Sequence, residues 1–252
     1  MLLELRRRLR YLFKGDESQK GYSADGMFLT GKNLAFLSEQ RFSDAWEFSK
    51  AGNKSAWEAK RQEVPDVRFR IHTAIWAAER ALNLRGDFVE FGVNAGFLSM
   101  AVCEYHHFQD VDRKFWLFDT YAGIPTDGLS PNELKKAEKA NSRNYSDVFE
   151  LAKRNFSRFP NAMLVRGNLP GTIDDVKIDS IAYLSIDLNS ATYEKLSIDK
   201  VWDRVVTGAP IVLDDYAFAG CEDQNEMWNK FAHEHDQSIL TLPTGQGLII
   251  KR

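Results

Sequence analysis

After Gly86 the chain alternates between short apolar runs of strand length and amphipathic stretches of helix length, an order that few architectures accept. "DFVEFG" (87–92), "KFWLFD" (114–119), "AMLVRG" (162–167), "IAYLSIDL" (181–188) and "APIVLDD" (209–215) read as buried strands. Between and after them, "FLSMAVCEYHHF" (97–108), "VFELAKRNFSRF" (148–159), the stretch near "TYEKLSIDKVWDRV" and "QNEMWNKFAHEHD" read as helices. The tail adds two short strands, "SILTL" and "GLIIKR", around Pro243-Thr244-Gly245. Strands that alternate with helices predict an α/β fold with a mostly parallel sheet covered by helices.

The part before Gly86 has a different texture. Residues 1–60 read as helical or irregular, an N-terminal cap or oligomerisation segment. Its start, "MLLELRRRLRYLFKG", is basic and amphipathic, without the apolar core and cleavage site of a signal peptide. "KNLAFLSEQRFSDAWEFSKAG" has helical spacing, with Ala51-Gly52-Asn53 as its expected end, and "DVRFRIHTAIWAAERALNL" predicts a further helix that stops by Gly86. The polar stretch around 121–146 is too long for a simple connection and reads as a mobile lid.

Composition narrows the function. Net charge −3 and a pI near 6.0 lack the basic footprint of a nucleic-acid binder. No window reaches the ~20 apolar residues that a membrane helix needs. Two cysteines, Cys103 and Cys221, are too few for a disulfide framework, so a cytoplasmic protein with reduced thiols is expected.

In open parallel sheets, ligands bind beyond the carboxyl ends of the strands. Here those ends carry Glu90, Gly92, Asn94 and Gly96, then Asp119 and Thr120, then Gly167 and Asn168, then Asp187 and Asn189, and last Asp214 and Asp215. The first group is not a dinucleotide loop: the glycines follow Gly92-x-x-x-Gly96 rather than G-x-G-x-x-G, and Glu90 would repel a pyrophosphate. A carboxylate there suits a ligand with a cationic end and hydroxyls, as S-adenosylmethionine has. Gly92, Asn94, Gly96, Phe97 and Leu98 would form its turn and helix start, and Asp119 could accept both ribose hydroxyls. A tight strand-to-helix turn without a ligand is the plainer reading of the same residues.

The pair Asp214-Asp215 follows directly on a buried strand, where like charges repel. With Asp187 at the end of a strand expected to be its neighbour, the three carboxylates form a hard oxygen site of the kind Mg²⁺ or Mn²⁺ prefers. Asp215 as a helix cap beside a solvent-facing Asp214 is the competing reading.

"GDFVEFGVNAGF", "FDTYAGIP", "YLSIDLNSATYEKL", "APIVLDDY" and "LPTGQGLII" resemble, in this order, the macrocin O-methyltransferase family. The resemblance implies a Rossmann-like class I methyltransferase fold over 61–252, with a seven-stranded, mostly parallel sheet and an antiparallel C-terminal strand. It implies methylation of a sugar or other diol-bearing acceptor, with Mg²⁺ held by Asp187, Asp214 and Asp215. One departure stands out: the family often reads Asp-Gly-Asp-x-Tyr where this chain has Asp187-Leu188-Asn189, and an amide cannot act as a general base. Asp187 is therefore the first candidate for the base, ahead of His106, His107 and Tyr145. Three alternatives remain at this level: a metal-independent methyltransferase, a non-catalytic protein that keeps the fold, and a nicotinamide oxidoreductase, which the missing fingerprint disfavours. A homo-oligomer, joined through the N-terminal helices, is expected.

Overall fold

The computed structural model describes residues 21–252. The basic amphipathic helix expected at the start lies outside the described residues. The next stretch corrects a sequence expectation, because it opens with a β-hairpin rather than a helix. Strands β1 (Tyr22–Ala24) and β2 (Met27–Leu29) pair antiparallel across Asp25 and Gly26, both with positive φ. A two-residue turn of this kind favours Asp-Gly, whose residues tolerate the left-handed region.

Helix α1 (Gln40–Glu58) runs straight through the expected stop at Ala51-Gly52-Asn53. Gly52 lies where α1 crosses the later helix, and a Cβ there would meet the end of the Met100 side chain, which would have to shift. Asn53 is buried and donates to the Ser49 carbonyl at 2.9 Å, which satisfies its amide inside the helix. Helix α2 (Arg68–Ala81) buries Ile71, Ala74, Ile75, Ala78 and Ala81 along one stripe, as its three-to-four spacing requires.

Strand β3 (Asp87–Phe91), helix α3 (Phe97–His106), strand β4 (Phe115–Asp119), helix α4 (Pro131–Asn144), helix α5 (Phe149–Asn155), strand β5 (Ala162–Arg166), strand β6 (Ile181–Ile186), helix α6 (Ala191–Val201), strand β7 (Pro210–Leu213), helix α7 (Glu222–Glu234) and strands β8 (Leu240–Thr241) and β9 (Gly247–Ile250) complete the described chain. The seven-stranded sheet has the order β5-β4-β3-β6-β7-β9-β8, parallel from β5 to β7, with β9 antiparallel to β7. This is the expected class I order with its reversed C-terminal strand. The chain leaves β3 for β4 and β5 on one side and returns to β6 on the other, so the crevice between β3 and β6 is the topological switch point.

The sheet is buried on both faces. Phe88, Phe115, Tyr183 and Val212 pack toward α1, α2 and α3, while Val89, Phe91, Leu184, Ile186, Ile211 and Leu213 pack with residues of α6 and α7. Each large side chain fully buried this way contributes roughly 1.5–3 kcal/mol. The two-residue period of β3 puts Glu90 on the face of Phe88, inside the first of these layers, at 2% exposure.

The stretch read as a mobile lid contains α4, and α4 is tied down. Ser130 and Glu133 form a capping box with Pro131 at the first turn. Glu133 also accepts from the Ser190 hydroxyl and from the Thr192 amide and hydroxyl, at 2.8–3.1 Å, and so joins the starts of α4 and α6. No helix among the described residues is long and apolar enough to cross a membrane.

Candidate active site

A cavity of about 520 Å³ opens at the carboxyl ends of β3, β4, β6 and β7. It is lined by Glu90, Gly92, Asn94, Phe97, Leu98, Asp119, Thr120, Gly167, Asp187, Asn189 and Asp214, so most of the residues singled out in the sequence meet there. Asn168 does not line it: it is exposed, and its carbonyl accepts from the Thr172 amide at 3.2 Å. Gly96 is not part of the wall either. It has φ +99, and a Cβ there would collide with the Phe156 ring, so packing behind the turn explains this glycine. Gly92 has φ +86, and a Cβ would overlap the carbonyl oxygen of Asp187. The ends of β3 and β6 can approach this closely only with hydrogen at that position.

Glu90 is buried, and only one of its oxygens has a partner, the Ser99 hydroxyl at 3.2 Å; Oε2 has none. Burial, and then the charges of Asp214 and Asp119, push its carboxyl well above the usual range. A cationic ligand group beside Oε2 would remove that penalty, so the residue fits the ammonium end of S-adenosylmethionine. Asp119 is arranged differently from the expectation. Its Oδ2 accepts from the amides of Val93 and Asn94 at 2.6 and 2.7 Å, and its Oδ1 from the amide of Tyr121 at 2.5 Å. The residue thus ties the turn after β3 to the turn after β4, and a ribose hydroxyl would have to share its remaining lone pairs.

Asp187, Asp214 and Asp215 come together because β6 and β7 are neighbours in parallel register. Each offers one oxygen within 4.8 Å of the others. Burial, then Asp215 and Asp214, pushes Asp187 upward, and burial, then Asp214, pushes Asp215 upward. Asp215 Oδ2 is buried without a partner. An orphaned carboxylate oxygen among hard oxygen donors is what a divalent cation such as Mg²⁺ would satisfy, so the residues fit the ion. The helix-cap reading of Asp215 fails, since α7 starts only at Glu222.

A cation already meets this cluster. Arg70 donates from Nη1 to Asp214 Oδ2 at 2.9 Å, and its Nε and Nη2 hold both oxygens of Asp25 at 2.7 and 2.6 Å. Its guanidinium lies 4.4 Å from the centre of the Phe218 ring. The other Asp214 oxygen accepts from Gln246 Nε2 at 2.9 Å. Asn189, with φ +55, donates to Asp187 Oδ1 at 2.8 Å and thereby orients it.

Glu194 is not singled out by the sequence as a site residue, whereas Tyr145 is a lesser candidate for the base. Glu194 is buried behind the cluster and accepts from Trp228 Nε1 at 2.7 Å. Burial pushes it up to about 8, with Asp215 adding to the effect. Tyr145 lines the cavity, and its phenol is pushed up by burial and then by Asp187, Asp215 and Asp119. A signal existed for Arg70 and Glu194: each is a charge on the buried stripe of its helix, Arg70 three residues after Val67 and Glu194 four before Ile198. His107 and His233 are exposed, and the other three histidines pack. His106 Nε2 lies 3.1 Å from the Ile75 carbonyl, His72 stacks on Phe36 at 4.1 Å, and His235 lies 4.2 Å from the Phe231 ring.

The family model described as macrocin-O-methyltransferase (TylF) matches residues 67–241. The 8-demethyl-8-(2,3-dimethoxy-alpha-L-rhamnosyl)-tetracenomycin-C 4'-O-methyltransferase of Streptomyces olivaceus is 24% identical over 55% of this chain and 56% of its own. Demethyldecarbamoylnovobiocin O-methyltransferase of Streptomyces niveus is 28% identical over 56% of this chain and 57% of its own. The matched region therefore spans little more than half the length of either relative. Among solved structures, the O-methyltransferase NovP superposes with a TM-score of 0.68 at 18% identity, over 83% of this chain and 97% of its own. A Podospora anserina methyltransferase, solved with SAH bound, has a TM-score of 0.52 at 14% identity, over 99% of this chain and 96% of its own. At these identities the two structures speak for the fold.

Proposed function

The chain belongs to the macrocin O-methyltransferase family, and from that premise we propose that it transfers a methyl group from S-adenosylmethionine to a hydroxyl of a sugar or other diol-bearing natural product. The observation that carries the reading is that one cavity holds both Glu90 and Asp119, suited to the donor, and Asp187 and Asp214, suited to a diol. Mg²⁺ or Mn²⁺ would be held by Asp187, Asp214 and Asp215, where it would acidify and orient a bound hydroxyl.

The residues would divide the work as follows. Glu90 faces the ammonium of the donor, and Gly92, Val93, Asn94 and Asp119 shape the rest of its bed. The acceptor oxygen attacks the methyl carbon, the C–S bond breaks as the C–O bond forms, and the electron pair stays on sulfur. Asp187 takes the hydroxyl proton. Asn189 keeps this side chain oriented, and in the absence of a bound cation burial and its acidic neighbours hold its carboxyl above the usual range. The cavity walls would hold donor and acceptor in line, which turns the displacement into an effectively unimolecular step.

A second reading has a specific observation behind it. Both oxygens of Asp214 already have partners, Arg70 and Gln246, so the cluster carries an internal cation and the enzyme could bind the diol through its carboxylates alone. Isothermal titration with S-adenosylhomocysteine, followed by methyl transfer to a panel of glycosides with and without a chelator, tests both. Micromolar binding and chelator-sensitive transfer are expected. Transfer that survives chelation would favour the metal-independent reading, and no binding under any condition would sink the methyltransferase assignment.

A further inference from the structure

The cavity has a second polar region that the proposed chemistry leaves unused. It lies where the turn after α1 faces the turn after α4. Lys60 and Gln62 come from the first turn, and Asn144, Tyr145 and Ser146 from the second, and all five line the cavity.

Lys60 is half-buried there, and its ammonium has no carboxylate within 4.0 Å among the described residues. Its neighbours are aromatic: Nζ lies 4.6 Å from the Trp57 ring centre and 6.0 Å from that of Tyr145. Burial lowers its pKa, with no acid offsetting the effect. The side chains of Gln62, Asn144 and Ser146 are exposed on this wall and hydrogen-bond to no other described residue. A half-buried cation with uncommitted donors on the same cavity wall can take an anion that the protein itself does not supply.

Tyr145 gives the region a direction. Its ring faces Lys60, while its phenol lies in the field of Asp187 and Asp215. A molecule that presents a hydroxyl to Asp187 would extend along Tyr145 toward Lys60. The carboxylate of the donor has another place to go, since α3 is ten residues long and its N-terminus follows the donor turn.

We propose that Lys60, Gln62, Asn144 and Ser146 form a subsite for an oxyanion, a carboxylate or a phosphate, carried by the methyl acceptor. The inference rests on the function proposed above and narrows its substrate class to anionic acceptors.

The test uses the full chain, free of metal and saturated with S-adenosylhomocysteine, titrated with inorganic pyrophosphate and separately with glucuronate. Binding of either probe is expected, and which of the two binds tells a phosphate from a carboxylate. Lys60→Met should weaken it by about tenfold, roughly one lost charge-assisted hydrogen bond, and Lys60→Arg should retain it. Affinity for S-adenosylhomocysteine should stay the same in both variants. Three results would overturn the proposal: no binding of either probe, equal binding by Lys60→Met, or a fall in S-adenosylhomocysteine affinity in Lys60→Met. The last would assign Lys60 to the donor's carboxylate. Failure of the wild type to bind S-adenosylhomocysteine at all is a separate result, which removes the methyltransferase reading and this inference with it.

Discussion

The Arg70 guanidinium lies 2.9 Å from the Asp214 carboxylate, across 144 positions of sequence. This contact is how the fold tolerates two adjacent aspartates at the end of a core strand. Arg70 side-chain exposure is 19% and that of Asp214 is 5%, so the pair is largely withdrawn from water. Burial works against the charge of Arg70, but the hydrogen bonds of Asp25 and the charge of Asp214 outweigh it and hold the guanidinium protonated.

Removing one partner of such a pair leaves the other charge stranded. Arg70→Met should therefore destabilise the protein by about 2–4 kcal/mol, somewhat below the range for a fully buried pair because Arg70 retains some solvent. Asp25→Asn keeps the Asp214 contact and should cost about 1 kcal/mol. Urea denaturation of the two variants checks the order, and an equal loss would contradict it.

Gly92 and Gly128 offer a matched contrast. Both have positive φ, at +86 and +71, but a Cβ at Gly92 would overlap the Asp187 carbonyl while one at Gly128 would meet nothing. Gly128→Ala should cost about 1 kcal/mol, for the left-handed backbone alone. Gly92→Ala should cost more than about 3 kcal/mol, because β3 and β6 must also separate. Thermal unfolding measures both, and similar Tm values for the two variants would refute the steric account.

Glu133 links the lid helix to the start of α6 through Ser190 and Thr192. Glu133→Ala removes the capping box together with that link, at a cost of roughly 1–3 kcal/mol localised to α4. Hydrogen exchange should then accelerate in 131–144 and remain slow in the central strands. A uniform change across the protein would argue against a local tether.

Glu194 makes stability depend on pH in a defined direction. Its ordinary value is 4.5, and burial first, with Asp215 adding, pushes it up to about 8 in the folded protein. Between these values the folded state holds a proton that the unfolded chain has released. Stability contributed by this group is thus complete below about pH 4.5 and is lost as pH rises toward 8. Glu194→Gln removes the titration and retains an acceptor for Trp228. In the presence of a chelator, the variant should match wild type near pH 5 and exceed it above pH 8, by on the order of a few kcal/mol. Parallel Tm-versus-pH curves would exclude a protonated Glu194.

The strand-helix alternation after Gly86, the strand-end acids and the order of the motifs were readable from the chain, because periodicity and local composition are local properties. Together they determined the parallel sheet and the meeting of Asp187 with Asp214 and Asp215, since neighbouring parallel strands bring their ends to one edge, while the reversed last strand was implied by the family resemblance alone. What surrounds those acids was decided only in three dimensions. Gly52 reads as a helix stop, yet it marks the crossing of α1 over Met100, and close approach between helices leaves no local trace. Asp25, in a hairpin turn, and Gln246, near the last strand, reach Asp214 and its arginine from opposite ends of the chain. Such contacts depend on where elements dock, and docking is set by the shape of the whole core. The sequence thus determines which groups arrive at the edge of the sheet, and packing determines which charges they meet there.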